Sequence, residues 1–234
     1  LLYTTVEEDE RIPESIVHSG ADGIIFTSQV PDRTLVQARG LDIPAVLINR
    51  VSDHFPMILE DRYHGFLAVL EHLAAAGHRN ILFINGVAGH YTTETCAAAA
   101  AGFSARNGDV KISTLPSYWD FDSGMAAMRQ VLRQAGEPPT AVCACNDTVA
   151  IGAMEAAKQG GMAVPDRMSF VGFDDTEQCM QCVPRLSTVN VGSPLIARLA
   201  VETLFSMIAG GNPGPVRTIV PTRLVLRDSI RNLQ

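Results

Sequence analysis

Apolar runs of strand length alternate with helical patterns along almost the whole chain. The runs show no alternation of apolar and polar positions, and nearly every run is followed by a helical stretch. Strands that are apolar on both faces are typical of parallel sheets covered by helices on both sides. The runs are LLYTT, DGIIFT, AVLIN, NILFING, VKIST, AVCAC, MSFVGF, STVNV and TRLVLRDS. This pattern predicts an α/β fold with doubly wound parallel sheets.

Polar side chains are predicted to gather at one edge of these sheets. The helices between the runs lie near residues 11–19, 31–39, 62–76, 97–101, 122–135, 147–160 and 194–209. In open parallel sheets, ligands bind outside the carboxyl ends of the strands. The short polar residues that follow predicted strands at this end are Thr27, Ser28, Asn49, Arg50, Asn146 and Asp174. They suit a neutral, hydroxyl-rich ligand, because carboxylates accept hydrogen bonds from hydroxyls and amides both donate and accept.

Two of these residues also have a purely structural interpretation. Asn146 directly precedes a predicted helix and is compatible with a helix cap, and Asp174 is compatible with a turn. The repetition of polar residues at several strand ends favours a ligand site. Neighbouring side chains on an extended segment point in opposite directions, so Asp147 and Asp175 are not assigned to that site.

Composition and charge exclude several classes of function. The 234 residues are 47% hydrophobic and 18% charged, which suits one large domain or two small lobes. The net charge is −7 and the basic residues are scattered, so this chain by itself is not expected to hold a phosphate backbone. No apolar run is long enough to span a bilayer, which predicts no membrane helix. The opening LLYTTVEEDER lacks the basic start and cleavage site of a signal peptide.

The five cysteines have three alternative interpretations. Cys143 and Cys145 lie on a predicted strand, and Cys179 and Cys182 form a CMQC, so together they could form a four-thiolate zinc site, or CMQC could form a redox pair. A C-x-C on a strand is not a usual zinc motif. The pattern therefore favours reduced, small apolar residues and a reducing, cytoplasmic compartment.

The sequence gives little support to catalysis. Asp174 and Asp175 at a strand end could hold Mg²⁺. However, GVAG and GG lack the phosphate-loop pattern and its lysine, and there is no G-x-S-x-G motif. His64 and His72 lie eight positions apart and favour solvated or packed side chains over metal ligands. We therefore expect no catalytic activity, no cofactor and no metal.

Four segments carry a resemblance to a known family. AAGHRNILFING, AVCACNDTVAIGAMEAAKQGGMAVPDRMSFVGFDD, PRLSTVNV and RLVLRDS, in this order, resemble the C-terminal effector-binding and dimerisation domain of LacI/GalR transcription regulators. VPDRMSFVGFDD followed by PRLSTV is the most specific part. The resemblance implies two α/β lobes joined by three crossover segments, as in periplasmic sugar-binding proteins, with the effector between them. It places residues 1–78 and 192–217 in the N-terminal lobe, and 79–191 and 218–234 in the C-terminal lobe.

The resemblance also implies partners. Family members bind a small effector, most often a sugar or polyol and less often a purine, and act as homodimers. They bind operator DNA through an N-terminal helix-turn-helix, which this sequence does not contain. The first strand and helix of the N-terminal lobe are also expected to be missing. The alternative is a periplasmic sugar-binding protein of a transport system, although VPDRMSFVGFDD and RLVLRDS resemble the regulators more.

Site residues follow from the same resemblance, position by position. Asp174 matches the effector-binding carboxylate, and Asn146 matches the polar position that opens the next helix. Trp119 matches an aromatic position against the ligand, where a ring packs on the C–H face of a sugar or on a purine. The remaining matches are Asp61 before the long helix, Thr27 and Ser28 after the D-G strand, and Thr95, close to Thr93 and Glu94.

One position departs from the family. Ala99, four residues before Phe103, stands where members usually have an arginine that reaches the effector. Its loss removes a five-donor fork, so a sugar acid or a phosphorylated ligand becomes less expected. Arg50 is hypothesised to supply the positive charge from the other lobe.

Overall fold

A computed structural model describes residues 12–27 and 30–234 of the protein. The chain divides into two units. The first unit contains the described residues up to Glu60 together with Gly192–Val220, and the second contains Asp61–Val191 together with Pro221–Gln234. The chain therefore passes from one unit to the other three times.

Helices and strands alternate along the described residues. The helices are α1 (Glu14–Val17), α2 (Asp32–Gly40), α3 (Arg62–Ala75), α4 (Tyr91–Arg106), α5 (Phe121–Leu132), α6 (Asp147–Gln159), α7 (Gln178–Gln181) and α8 (Ser193–Ile208). The strands are β1 (Ile24–Phe26), β2 (Ala45–Ile48), β3 (Met57–Glu60), β4 (Asn80–Asn85), β5 (Lys111–Pro116), β6 (Ala141–Ala144), β7 (Ser169–Val171), β8 (Thr188–Asn190), β9 (Arg217–Val220) and β10 (Arg223–Val225).

Each unit contains a parallel sheet, as predicted. Within the described residues, the sheet of the first unit has the order β1-β2-β3-β9, and that of the second unit has the order β5-β4-β6-β7. All pairings in both sheets are parallel. An additional antiparallel pair joins β8 to β10. The predicted fold class is confirmed, since both sheets are parallel and their inner strands, β2, β3, β4 and β6, are buried almost throughout.

The prediction from sequence missed three short elements. Strand β3 and strand β9 have four residues each, and α7 is a single helical turn. The predicted helix near 11–19 is reduced to α1, which begins after Pro13. The predicted strand LLYTT lies outside the described residues.

Helix α3 lies in the second unit, whereas the lobe boundary predicted from the sequence follows residue 78. The helix buries Phe66 and Leu70 in the same apolar cluster as Phe83 of β4 and Phe103 of α4. The ring centroids of Phe66 and Phe83 are 4.3 Å apart. Because the apolar face of α3 completes the core around β4, the break between the units comes before this helix and not after it. The other two divisions fall at Val191–Gly192 and Val220–Pro221.

A separate apolar cluster lies in the first unit. Helix α8 packs Ile196, Ala200 and Leu204 against Val46 of β2 and Ile58 of β3. Removing these apolar side chains from water stabilises the unit by about 25 cal/mol per Å² of apolar surface buried.

Candidate functional site

Asp174 lies beyond the carboxyl end of β7, where the sequence predicts a ligand site. Its backbone has a φ of 109°, which is unusual for a residue with a side chain. The peptide N–H of Asp174 donates to the carbonyl of Val189 at 2.9 Å. Its Oδ1 accepts a hydrogen bond from Nη2 of Arg62 at 2.9 Å, and 34% of the side chain is exposed to solvent. A carboxylate in this setting is held in place and still accessible.

Arg62 is a component of this site that the sequence analysis missed. It is the first residue of α3, and only 7% of its side chain is exposed. Its Nη1 donates to the carbonyl of Cys145 at 3.0 Å, and its guanidinium carbon lies 4.1 Å from the ring centroid of Phe173. A positive charge at a helix N-terminus is disfavoured by the helix dipole. An arginine at this position in DRYHG was therefore a signal that another partner holds the side chain.

Asp61 is the N-cap of α3, and its carboxylate serves its own helix. Oδ1 accepts the peptide N–H of His64 at 3.2 Å, and the His64 ring lies 2.9 Å from the same carboxylate. The carbonyl of Asp61 accepts a hydrogen bond from Oγ1 of Thr222. A ligand role for Asp61 stays a prediction.

Asn146 caps α6 and also fixes the loop that carries Trp119. Its Oδ1 accepts the N–H of Val149 at 2.8 Å, and its Nδ2 donates to the carbonyl of Trp119 at 2.9 Å. The helix-cap interpretation therefore accounts for the contact of Oδ1 with Val149, but not for that of Nδ2 with Trp119. The Nδ2 contact connects the end of β6 to the start of α5, so Asn146 shapes the site whether or not it contacts a ligand.

Two glycines let α5 and α6 approach closely and so position this loop. A Cβ on Gly124 would lie 2.3 Å from the carbonyl oxygen of Val149, and one on Gly152 would lie 2.1 Å from that of Phe121. Side chains at these positions would separate the two helices. The glycines thereby determine where Trp119 and Asn146 meet.

The indole of Trp119 lies at the end of β4, against His90. The ring centroids are 4.5 Å apart and the planes are inclined by 56°. Trp119 has a φ of 62°. A Cβ on Gly86 would lie 2.4 Å from its Nε1 and 2.6 Å from Oγ1 of Thr93, so only glycine fits there. The Thr93 hydroxyl is buried and has no hydrogen-bond partner among the described residues.

The α4 positions singled out from the sequence differ in burial, since Thr93 and Ala99 are buried and Glu94 is exposed. Thr95 is half-buried, and its Oγ1 donates to the carbonyl of Tyr91 in the same helix at 2.6 Å. Ala99 is fully buried in the apolar cluster that also contains Cys96. A long side chain at Ala99 would have no room in this packing.

Four candidate positions lie in the first unit. Thr27 is exposed at the end of β1, and Ser28 lies outside the described residues. Arg50 forms an ion pair with Asp32. Asn49, with a φ of 55°, donates from Nδ2 to Oε1 of Glu60 at 2.7 Å. The ligand roles predicted for Thr27, Ser28 and Arg50 stay predictions.

The carboxylates of Asp147 and Asp175 are engaged elsewhere, although neither residue lies on an extended segment, since Asp147 is the first residue of α6 and Asp175 has a φ of 60°. Asp147 is fully buried and accepts hydrogen bonds from Oγ1 of Thr188 and from Thr176, and burial raises the pKa of its carboxyl. Partial burial acts to raise the pKa of Asp175, but hydrogen bonds from Asn190 and Arg227 hold that pKa below its usual value.

All five cysteines are free thiols. Burial raises the pKa of Cys143, that of Cys145 to about 11 and that of Cys179 to about 12, so these three remain protonated and unreactive near neutral pH. Within residues 12–27 and 30–234, no cluster of three or more histidine, cysteine or acidic side chains is placed to hold a metal ion. In the same ranges, every helix is too short or too polar to cross a membrane.

Known proteins resemble this chain over nearly its whole length. The family described as "Periplasmic binding protein-like domain" matches residues 70–230. The probable HTH-type transcriptional repressor ExuR of Bacillus subtilis is 31% identical over 238 residues, which are 99% of this chain and 71% of that protein.

Two solved structures share both fold and sequence with the chain. The lac repressor dimer bound to operator and the anti-inducer ONPF is 26% identical, with a TM-score of 0.81 over 93% of this chain and 77% of that one. A periplasmic binding protein/LacI transcriptional regulator from Alkaliphilus metalliredigens, complexed with D-xylulofuranose, is 25% identical, with a TM-score of 0.81 over 93% of this chain and 80% of that one.

Proposed function

The chain belongs to the LacI/GalR family of transcription regulators, in which it corresponds to the effector-binding regulatory domain, and we propose that its effector is a small sugar or polyol bound at Asp174. The observation that carries this proposal is the carboxylate itself, which is partly exposed at a strand end and ion-paired to Arg62. The related regulator solved with D-xylulofuranose supports a sugar-like ligand.

The chemistry around Asp174 suits an uncharged ligand rich in hydroxyls. A carboxylate accepts hydrogen bonds from neighbouring hydroxyls, and the charge of Arg62 balances its own. In the same unit, the face of Trp119 offers an apolar surface for the C–H face of a sugar ring.

Effector binding would act on an equilibrium between two conformations. The peptide N–H of Asp174 is bonded to Val189 in β8, directly before the chain leaves the second unit. A ligand that binds one conformation better shifts the population toward it, by no more than its differential affinity. We propose that this shift changes the affinity of the full regulator for operator DNA, which it contacts through residues outside this sequence.

The second unit offers a surface for a homodimer. Tyr118 and Val183 are 75% and 78% exposed, and Phe121 and Met180 are also exposed. Tyr118 and Phe121 lie at the start of α5, and Met180 and Val183 lie in α7 and just after it. Exposed apolar side chains of this kind mark interaction sites, and we propose a second copy as the partner.

We further propose a cytoplasmic regulator without catalytic activity. Five free thiols suit a reducing compartment, and the relatives compared above are repressors rather than enzymes. The alternative of a periplasmic sugar-binding protein is less supported for the same reasons. Magnesium-dependent turnover of a substrate that disappears in Asp174→Asn would contradict the absence of catalysis.

A thermal-shift screen tests the ligand class. The chain is heated with D-ribose, cellobiose, galactitol, D-galacturonate or adenosine, and a ligand at 100 times its dissociation constant should add about 2.7 kcal/mol to the unfolding free energy. The matched variants are Asp174→Asn and Asp228→Asn, because both residues are ion-paired to an arginine and only Asp174 lies in the proposed site. A sugar or polyol response that is lost in Asp174→Asn and kept in Asp228→Asn is expected. No response to any of the sugars or galactitol overturns the proposal.

A further inference from the structure

We propose that Arg62 is the positioning residue of the effector site, which holds the Asp174 carboxylate in its binding orientation and balances its charge. This inference rests on the proposed function, since it assigns a role toward the same ligand. Arg62 itself is only 7% exposed in its side chain, so it acts through Asp174.

Three contacts on two segments, one after β6 and one after β7, hold the guanidinium of Arg62. Nη2 bonds to Asp174 after β7, Nη1 bonds to the carbonyl of Cys145 after β6, and the planar group stacks on Phe173. The fork of donors on an arginine suits this bridging geometry, which a lysine cannot reproduce. The carboxyl ends of two neighbouring strands are thereby tied to the first turn of α3.

The backbone of Asp174 needs such support. A residue with a side chain is strained at a φ of 109° and keeps that conformation only when its surroundings determine it. The hydrogen bond from its N–H to Val189 holds the backbone, and the ion pair with Arg62 holds the side chain. Loss of Arg62 would remove this ion pair and its charge-assisted hydrogen bond from the carboxylate.

The neighbouring residue provides a matched comparison. Asp175 is ion-paired to Arg227 at 2.5 Å, with both side chains about 15% exposed. Arg227 also donates to the carbonyl of Leu186, as Arg62 does to that of Cys145. The two arginines are therefore similar in burial and bonding, but only Arg62 is bonded to the carboxylate proposed to bind the effector.

The test compares Arg62→Gln, Arg62→Lys and Arg227→Gln with the wild-type chain. Affinities for D-ribose, cellobiose, galactitol and D-galacturonate are measured by calorimetric titration, and melting temperatures are measured in parallel. We expect Arg62→Gln to weaken binding by about tenfold or more, because a charge-assisted hydrogen bond to the binding group is lost. Arg62→Lys should bind more tightly than Arg62→Gln, since it keeps the positive charge. Arg227→Gln should lower the melting temperature and leave the affinity within about threefold of wild type.

Each outcome of these measurements supports or overturns the role proposed for Arg62. Equal weakening in Arg62→Gln and Arg227→Gln, or affinity in Arg62→Gln within about threefold of wild type, overturns it. If Arg62→Gln does not fold, a lysine variant that binds as tightly as wild type overturns it and a weakened one supports it. A wild-type chain that binds none of the four compounds overturns the proposed function, and the role of Arg62 falls with it.

Discussion

Asp174 and Asp175 are adjacent in the chain, yet their carboxylates pair with arginines from different segments, Asp174 with Arg62 at the start of α3 and Asp175 with Arg227 after β10. Both residues have a positive φ, 109° and 60°. This turn of the backbone sends one carboxylate to the candidate ligand site and the other to the strands β8 and β10. Two identical residues thus have separate roles, one proposed for binding and one for stability.

Asp175→Asn is expected to destabilise the fold without abolishing effector binding. The substitution breaks a largely buried ion pair with Arg227, for which a loss of about 1–3 kcal/mol in unfolding free energy is typical. Urea unfolding measures the loss. An unchanged midpoint would contradict it.

The ion pair between Asp175 and Arg227 also predicts that its contribution to stability is lost in acid. Because the pKa of Asp175 in the folded chain lies below its usual value, its stabilising contribution is full above the unfolded pKa and is lost as the pH falls through the folded pKa. The stability difference between wild type and Asp175→Asn should therefore shrink as the pH falls below about 4. Urea midpoints at pH 7 and at acid pH, with Asp228→Asn as a surface control, measure that difference.

His78 is expected to make the fold less stable in mild acid. It is buried between Thr140, Ser169 and the carbonyl of Arg231, and burial is the main reason that its pKa lies below 6.5. The unfolded chain therefore binds a proton more readily than the folded chain, so stability is full above pH 6.5 and falls as the pH drops toward the folded pKa.

The prediction for His78 is checked by measuring how the stability of His78→Gln depends on pH. His78→Gln should be less stable than wild type at pH 8, because hydrogen bonds are lost, but its stability should change less between pH 8 and pH 5. The exposed His54 provides the control, since His54→Gln should keep the wild-type slope. A His78→Gln profile parallel to that of wild type would show that other groups cause the dependence.

Much of the fold could be predicted from the sequence, and the errors have identifiable causes. The apolar runs located the central strands, because a strand buried on both faces leaves an uninterrupted apolar signal. β3 and β9 were missed because four residues carry too little pattern. The predicted boundary at residue 78 differs from the division before α3, because the apolar face of α3 does not reveal which sheet it covers.

Only part of the candidate site could be predicted from the sequence. Asp174 and Asn146 could be found because a polar residue directly after a strand is a local signal. Arg62 was missed because its partner Asp174 is 112 positions away, and the one local signal, an arginine at a helix N-terminus, does not identify that partner.

Gly152→Ala is expected to damage both stability and the candidate site. The new Cβ would lie 2.1 Å from the carbonyl of Phe121, and backbone at that distance cannot move without separating α5 from α6. Overpacking of this kind typically costs about 1–3 kcal/mol or more. Gly40→Ala is the control, since a Cβ there has nothing within 4 Å in helix α2. Thermal unfolding of the two variants should show a clear loss for Gly152→Ala and little or no loss for Gly40→Ala.

Trp119 provides a direct optical signal of effector binding, because it is the only tryptophan in the chain. Its indole lies against His90, so a sugar ring packed on the exposed part of the indole should change the polarity around it and shift its fluorescence. Titration of the wild-type chain with D-ribose, cellobiose, galactitol and D-galacturonate should give a saturable change with at least one of them. The change should be absent in Asp174→Asn and present in Asp228→Asn. Calorimetric binding with no change in fluorescence would place the ligand away from Trp119 and would remove this residue from the site.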